Sequence, residues 1–229
     1  MEKPKRIKSG IPGVDSMLAG GFIEGSVTLL CGGYGTGKST FAMQFLAEGA
    51  KDGEPGLYIT FDQDPQEIIK EGDIYGWNFS GLVEKKILKV IRVPAIEMIN
   101  TVEAGFGEIG TIVKSMNIKR VIVDSIISFD LVGKDAFEKR HHILELVSWI
   151  KKQGATALFT MEVDAQKDEL GEHLGMGESA ADGIIYLYHP KKGDKRTRQI
   201  EVLKMRETCH DDKIHAFSIS AKGISIKTK

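Results

Sequence analysis

The sequence predicts an α/β fold, with a mostly parallel sheet flanked by helices and antiparallel strands near the C-terminus. Up to Tyr188, short apolar runs alternate with amphipathic helical stretches, as in a parallel sheet that is covered on both faces. A glycine-rich segment joins the first long apolar run to a helical stretch. From Arg198 onward, apolar residues recur in short alternating runs separated by turns, which is typical of antiparallel strands.

The individual elements follow from apolar spacing. Six runs rich in apolar and β-branched residues are predicted to be parallel strands: Val27–Cys31, Leu57–Phe61, Ile87–Val93, Val121–Val123, Ala155–Met161 and Ile184–Tyr188. Two apolar stripes have helical spacing, one from Ile109 to Met116 and the other from Ile143 to Ile150. No internal repeat, low-complexity stretch or proline-rich linker interrupts the chain, so residues 1–229 are predicted to form a single domain.

The composition narrows the class of protein. Lys and Arg number 31 against 32 for Asp and Glu, a net charge of −1, so no global basic field is available to hold a polyanion. The two cysteines, Cys31 and Cys209, favour reduced thiols over a disulfide framework. No stretch approaches the length of a bilayer span. We therefore expect a soluble cytoplasmic protein without membrane insertion, and nucleic acid is not the default partner.

The glycine-rich segment carries the strongest chemical signal. Gly32 to Ser39 follow the pattern G-x-x-x-x-G-K-[ST] between a predicted strand and a predicted helix, which is the context of a nucleotide-binding P-loop. Lys38 is expected to reach the β- and γ-phosphates and Ser39 to hold Mg²⁺. The predicted nucleotide-binding residues of this segment are Gly33, Tyr34, Gly35, Thr36, Gly37, Lys38, Ser39 and Thr40.

Two strand ends supply candidate carboxylates. Asp124 ends the apolar run that begins at Val121, where a Walker B aspartate would contact Mg²⁺ through a water, although it could also cap a turn. Asp62 ends a strand that we expect beside the P-loop strand, near the γ-phosphate. It is our candidate general base, and Gln63 is a candidate for positioning the attacking water. The alternative is that Asp62 caps the helix that follows Pro65.

Taken together, these segments resemble the KaiC-like branch of the RecA-type P-loop ATPases over nearly the whole chain. Five stretches carry the resemblance: Ser9 to Asp15, Phe61 to Trp77, Val121 to Ser125, the K-x-R-x-T-x-H stretch from Lys204 to His210, and Lys222 to Ile224. The resemblance implies an ATPase that binds ATP and Mg²⁺ at the subunit interfaces of a homo-oligomeric ring, a hexamer.

The resemblance also assigns residues to a neighbouring copy of the chain. It places Lys204 and Arg206 at the γ-phosphate of a neighbour's nucleotide, the role of an arginine finger. Met205, Thr208, His210 and Ser220 would then lie near the base and ribose of that nucleotide. Without the resemblance, Lys204 and Arg206 read as solvated strand residues.

The chain departs from the family's pattern where hydrolysis would be catalysed. Asp62-Gln63 stands where the family has two glutamates, Glu207 replaces a glycine, and Ala221 stands where an aspartate is common. An aspartate is one methylene shorter than glutamate and an amide cannot take a proton, so a misplaced base costs about a hundredfold in turnover. We therefore expect slow hydrolysis.

Two other functions stay open. One is an ATP-sensing assembly module without hydrolysis, which Asp62-Gln63 favours. The other is a DNA-binding recombinase paralogue. The expected DNA loop contains Asp164, Lys167, Asp168, Glu169 and Glu172, whose charge repels a phosphate backbone. A basic cluster also exists, but such clusters are usually solvated turns: Lys191, Lys192, Lys195, Arg196 and Arg198. Glu162 is either a γ-phosphate sensor or a satisfied strand-end carboxylate.

Overall fold

The computed structural model describes residues 4–131, 135–163 and 180–226. Its strands are β1 (Arg6–Ile7), β2 (Phe22–Ile23), β3 (Val27–Gly32), β4 (Gly56–Thr60), β5 (Leu88–Arg92), β6 (Arg120–Asp124), β7 (Thr156–Glu162), β8 (Gly183–Tyr188), β9 (Lys191–Lys192), β10 (Lys195–Arg196), β11 (Arg198–Met205), β12 (His215–Ser220) and β13 (Gly223–Ile226). Its helices are α1 (Val14–Met17), α2 (Lys38–Lys51), α3 (Pro65–Ile74), α4 (Phe79–Glu84), α5 (Ala95–Glu103), α6 (Gly107–Ser115) and α7 (Ala136–Lys152), with a 3₁₀ helix at Ile126–Leu131.

One large sheet organises the described residues. Its nine strands lie in the order β13-β12-β11-β8-β3-β7-β6-β4-β5. The six strands from β8 to β5 are parallel, and β11, β12 and β13 are antiparallel. The predicted fold class is therefore confirmed, and the predicted strands match the observed ones to within about two residues at each end.

Helices cover the sheet on both faces, as its apolar strands require. Every residue of β3 and β4 is buried. On one face, Phe41 and Phe45 of α2 pack into a core with α1 and the C-terminal strands. On the other face, Val113 of α6 and Leu146 of α7 pack against the opposite side of the same strands. The two predicted apolar stripes thus face this second core.

The parallel strands give the sheet two chemically different edges. At the carboxyl edge, β3 ends at Gly32, in register with Glu162 of β7 and Leu187 of β8. At the amino edge, β3 begins at Val27, beside Asp182, which precedes β8. Five residues of extended strand separate the two edges along β3, a distance of about 16 Å. Open α/β sheets bind ligands at the carboxyl edge.

Within the residues that the structure describes, none of the helices combines the length and the apolar character of a membrane span.

Candidate nucleotide-binding site

A glycine-rich loop connects β3 to α2 at the carboxyl edge. The loop comprises Gly33, Tyr34, Gly35, Thr36 and Gly37, and the first turn of α2 adds Lys38, Ser39 and Thr40. The φ angles of Gly35 and Gly37 are +69° and +104°, a region that only glycine enters without strain. A β-carbon on Gly37 would lie 2.8 Å from Cδ1 of Ile219. These glycines therefore allow a tight turn against the C-terminal strands.

The loop offers amide groups and a cation to an anion. Among the described residues, the amides of residues 33–37 donate no hydrogen bond within the chain. Nζ of Lys38 donates to the carbonyl oxygens of Gly32 and Gly33 at 2.8 and 3.0 Å. Burial lowers the pKa of Lys38, while the charges of Glu162 and Asp124 act in the opposite direction. Available amides beside a cation at a helix N-terminus make a phosphate site.

Three hydroxyl groups fix the carboxylate of Asp124 at the end of β6. Oγ of Ser39 donates to its Oδ2 over 2.9 Å, the Tyr58 hydroxyl donates to the same oxygen, and the Thr160 hydroxyl donates to Oδ1. Burial, followed by the charge of Asp124, raises the pKa of Tyr58 well above its usual value. The phenol therefore stays protonated and remains a donor.

The pair formed by Ser39 and Asp124 fits a magnesium ion. Mg²⁺ prefers oxygen ligands and keeps several waters, with one or two protein groups completing its shell beside substrate phosphates. A hydroxyl and a carboxylate 2.9 Å apart supply that kind of ligand. Within the described part of the chain, no group of three or more His, Cys, Asp or Glu residues could hold a metal by itself. A metal at this pair would thus depend on a nucleotide's phosphates.

Asp62 lies at the carboxyl edge, but farther from the P-loop than expected. Strands β7 and β6 separate its strand, β4, from β3, a spacing of about 14 Å. The expectation that this strand borders the P-loop strand is therefore wrong, because the crossover connections place β4 near the far side of the sheet. The side chain of Asp62 is exposed, and its role as a base stays a prediction.

The helix after Pro65 is capped by a different aspartate. Oδ1 of Asp64 accepts a hydrogen bond from the backbone amide of Gln66 at 2.7 Å. The alternative reading of Asp62 as the cap is therefore wrong. The cap is the residue immediately before the proline, which is the usual arrangement when proline occupies the first helical position.

Glu162 lies closer to the P-loop than Asp62 does. It ends β7, which is adjacent to β3, and pairs in register with Gly32. A hydrogen bond with Glu162, and then its charge, raise the pKa of the Tyr34 hydroxyl, on a side chain that is 88% exposed. Oε1 of Glu162 is buried and has no hydrogen-bond partner in the described part of the chain. Glu162 is therefore an acceptor beside the phosphate site rather than a fully satisfied carboxylate.

Lys204 and Arg206 lie at the amino edge. Nζ of Lys204 donates to the carbonyl oxygen of Ala181 at 2.7 Å. The guanidinium of Arg206 lies 3.5 Å from Oδ1 of Asp182, and its backbone amide donates to the carbonyl oxygen of the same residue at 2.8 Å. Neither is a simply solvated strand residue. Both are about 16 Å along the strands from the P-loop of their own chain.

Four residues were expected near the base and ribose of a neighbour's nucleotide. Three of them lie near the amino edge of the sheet, and Ser220 lies at the carboxyl edge. Met205 is 5% exposed, so its side chain would have to leave the core to meet a ligand. Thr208 and His210 follow the end of β11, at the amino edge. Ser220 ends β12, directly after Ile219, which packs against the P-loop at Gly37. Because β12 runs antiparallel to β11, Ser220 lies at the carboxyl edge of its own chain, and its place near a neighbour's nucleotide stays a prediction.

Known proteins with similar sequences identify the family of this chain. A family model described as "ATPase: KaiC" matches residues 7–229. The chain belongs to the KaiC family of ATPases. It is 33% identical to the UPF0273 protein PH0284 of Pyrococcus horikoshii, across 97% of this chain and 94% of that protein.

The chain is also similar to a longer KaiC-family protein and to a KaiC-like protein of known crystal structure. The chain is 31% identical to the circadian clock oscillator protein KaiC of Parasynechococcus marenigrum over 97% of its length, but it spans only 44% of that protein. The crystal structure of KaiC-like protein PH0186 from Pyrococcus horikoshii matches with a TM-score of 0.86 and 34% identity, covering 98% of this chain and all of that one. The predicted RecA-type fold is thereby confirmed.

One departure of this KaiC-family chain from the family's pattern coincides with backbone strain. Glu207 has a φ of +53°, a conformation that glycine adopts without steric strain and that other residues adopt at a cost. The turn is held from the N-terminal hairpin, because Arg6 donates to the carbonyl oxygen of Glu207 at 3.3 Å and to Oγ1 of Thr208 at 3.1 Å. The usual glycine at this position therefore has a conformational reason.

Arg198 contacts the P-loop, which the sequence did not predict. Its Nε donates to the carbonyl oxygen of Gly35 at 3.2 Å. From the sequence, Arg198 was expected only to belong to the basic cluster on a hairpin. Strands β9 and β10 do form that hairpin. No local signal joins residues 35 and 198, because only the sheet order brings them together. The acidic loop expected at residues 164–172 lies outside the described residues.

Proposed function

We propose that this chain is a single-domain KaiC-family ATPase that binds Mg-ATP at its P-loop and shares each site with a neighbouring copy. The amides of residues 33–37 and Lys38 hold the phosphates, and Ser39 and Asp124 hold Mg²⁺. Lys204 and Arg206 of one copy reach the γ-phosphate bound by the next, in a homo-oligomeric ring that the resemblance suggests is a hexamer. Hydrolysis, with Asp62 as base, is slow.

The observation that carries the proposal is the separation of the two halves of the site. Lys38, Ser39 and Asp124 lie at the carboxyl edge, whereas Lys204 and Arg206 lie at the amino edge. No side chain spans about 16 Å of strand within its own chain. A phosphate-binding role for these cations therefore requires a second copy, arranged head to tail so that the ring closes.

Mixing two impaired variants tests this arrangement. Lys38→Ala removes the phosphate cation, and Arg206→Ala removes the finger. Lys38→Ala is expected to abolish ATP hydrolysis, and Arg206→Ala is expected to reduce it to a small residual rate. An equimolar mixture forms some interfaces that pair the intact P-loop of one variant with the intact Arg206 of the other, so activity returns to about a quarter of the wild-type value. Phosphate release is the measurement.

The proposal fails if the mixture releases only the sum of its two components. A mixture of Lys38→Ala with the double variant Lys38→Ala/Arg206→Ala is the matched control, because it contains no intact P-loop and should stay inactive. Mass photometry of each sample, with and without a non-hydrolysable ATP analogue, shows whether the variants still assemble. A defect in assembly is thereby separated from a defect in the shared site.

A second candidate function is ATP sensing without turnover. The observation that favours it is the position of Asp62, which is exposed and three strand spacings from β3. In that case ATP drives assembly and no phosphate is released. Assembly that depends on ATP in the wild type, is lost in Lys38→Ala and is unchanged in Asp62→Ala would support the sensing function over catalysis.

A further inference from the structure

Asp182 is the point at which several contacts of the amino edge meet. Its side chain is 14% exposed, and Oδ2 accepts a hydrogen bond from the backbone amide of Val27 at 3.0 Å. Oδ1 faces two cations, with Nζ of Lys151 at 2.7 Å and the guanidinium of Arg206 at 3.5 Å. One carboxylate thus joins the start of β3, helix α7 and the residue after β11.

The backbone of the same segment holds the proposed finger residues. The amide of Arg206 donates to the carbonyl oxygen of Asp182, and the amide of Asp182 donates to that of Val27, both at 2.8 Å. Nζ of Lys204 donates to the carbonyl oxygen of Ala181 at 2.7 Å. Two consecutive residues therefore fix both cations to the edge of the sheet, next to the strand that leads to the P-loop.

The two cations on Oδ1 are not equivalent. Lys151 makes the short contact, whereas the guanidinium of Arg206 makes the long one and is 49% exposed. If Arg206 moves to a phosphate, Lys151 still neutralises the carboxylate. A largely buried carboxylate left without a cation would be costly, so the second cation lowers the free energy needed to release Arg206.

We infer that Asp182 is a positioning residue for Arg206, with Lys151 as the cation that keeps Asp182 neutralised when Arg206 engages the neighbour's γ-phosphate. This inference rests on the proposed function. Asp182 touches neither nucleotide nor metal. It limits the orientations of a long side chain before the phosphate arrives, which reduces the conformational entropy lost in the transition state.

A double-mutant cycle tests the inference. Asp182→Asn keeps an oxygen for the amide of Val27 but removes the charge that attracts Arg206. We expect turnover to fall about tenfold while the dissociation constant for ATP stays within about twofold. In an Arg206→Ala background, Asp182→Asn should cause no further loss, because there is no guanidinium left to position. A purely structural role of Asp182 would lower activity in both backgrounds.

Two further variants complete the design. Lys151→Met leaves Arg206 as the cation on Oδ1, so turnover should fall, and this loss should vanish in an Asp182→Asn background. Glu24→Gln is the matched control, since it breaks an exposed ion pair with Lys5, at 2.6 Å, just before β3. It should leave turnover unchanged.

The outcomes separate this inference from the proposed function. If Arg206→Ala turns over ATP like the wild type, the proposed function fails. If Arg206→Ala is impaired but Asp182→Asn is not, or if the two losses multiply, only the positioning role fails. Should steady-state turnover be too slow to follow, the same cycle is applied to single-turnover hydrolysis of radiolabelled ATP by the assembled protein, with the same non-additivity expected.

Discussion

The two edges of the sheet carry charged groups in very different states. At the carboxyl edge, Asp124 receives hydrogen bonds from three hydroxyls, and Lys38 is tied to two carbonyl oxygens of its own loop. At the amino edge, the guanidinium of Arg206 is half exposed and makes a long contact to Asp182. The first edge is ordered by hydrogen bonds within one chain, as the proposed phosphate and metal site requires. The second presents a cation outward, which suits contact with another molecule.

The largest expected effect is the loss of nucleotide binding when Lys38, at the carboxyl edge, is replaced by alanine. Lys38→Ala should weaken ATP binding by at least about a hundredfold, because it removes the cation that faces the phosphates. Burial lowers the pKa of Lys38, which means that the folded protein disfavours the charged ammonium group when no ligand is bound. Removing this group should therefore leave the melting temperature unchanged or raise it. Titration with a fluorescent ATP analogue measures the first effect, and thermal unfolding measures the second.

Lys51→Ala is the control for this prediction. Lys51 is at the other end of α2, where it pairs with Glu48 on the surface at 2.7 Å, so the substitution should leave ATP binding intact. Equal losses in the two variants would mean that the effect arises from the helix as a whole rather than from the phosphate site.

Two neighbouring aspartates at the end of β4 give the next largest effect and sharpen the comparison within the carboxyl edge. Asp62→Ala should lower turnover about a hundredfold if this carboxylate is the base, with little effect on stability because the side chain is exposed. Asp64→Ala should do the reverse. It removes the cap of α3 and should cost about 1 kcal/mol of unfolding free energy, with turnover retained. Phosphate release and chemical denaturation distinguish them.

An unchanged turnover in Asp62→Ala would point instead to Glu162, beside the P-loop strand, whose buried Oε1 has no hydrogen-bond partner among the described residues. Glu162→Gln then becomes the informative variant, because it preserves shape while removing the negative charge. If neither change affects phosphate release, neither carboxylate is the base.

The sequence predicted those parts of the site that are local in the chain. Gly32 to Ser39 and Asp124 each belong to a short motif whose strand context can be read from apolar spacing, and both lie at the carboxyl edge. The antiparallel end of the sheet was also predictable, because its alternation differs from the continuous apolar runs of buried parallel strands.

The parts that failed depend on how distant strands are ordered. Tyr58 and Thr160 join Asp124 only because β4 and β7 flank β6, and each reads in sequence as an ordinary strand residue. The same order moved Asp62 away from β3 and brought Arg198 to Gly35. The pairing of β12 with β11 placed Ser220 at the carboxyl edge, away from Thr208 and His210. Crossover order is not encoded in local periodicity, so these contacts require the three-dimensional fold.

A smaller effect is expected from Tyr58→Phe, which tests how far the carboxyl edge depends on its hydroxyl network. The substitution removes one of the two donors to Oδ2 of Asp124 and leaves the aromatic ring in the core. We expect a loss of about 1–2 kcal/mol in unfolding free energy and a several-fold fall in Mg²⁺-dependent turnover. An ATP analogue should still bind without Mg²⁺ as tightly as to the wild type. A loss of metal-free binding would show that Tyr58 supports the P-loop rather than the metal pair.

The smallest effect concerns strain at the amino edge. Glu207→Gly places the family's usual residue at a φ of +53°, which should raise the unfolding free energy by about 1 kcal/mol because glycine adopts this conformation without steric cost. It also removes a negative charge beside Arg206, so turnover should rise slightly.

Lys86→Gly is the matched control, since Lys86 is exposed at a φ of +57° and lies far from Arg206. Both variants should gain stability, and only Glu207→Gly should change turnover. Equal kinetics in the two would mean that the charge of Glu207 has no influence on the shared site, and a loss of stability in Glu207→Gly would mean that its side chain makes contacts worth more than the strain.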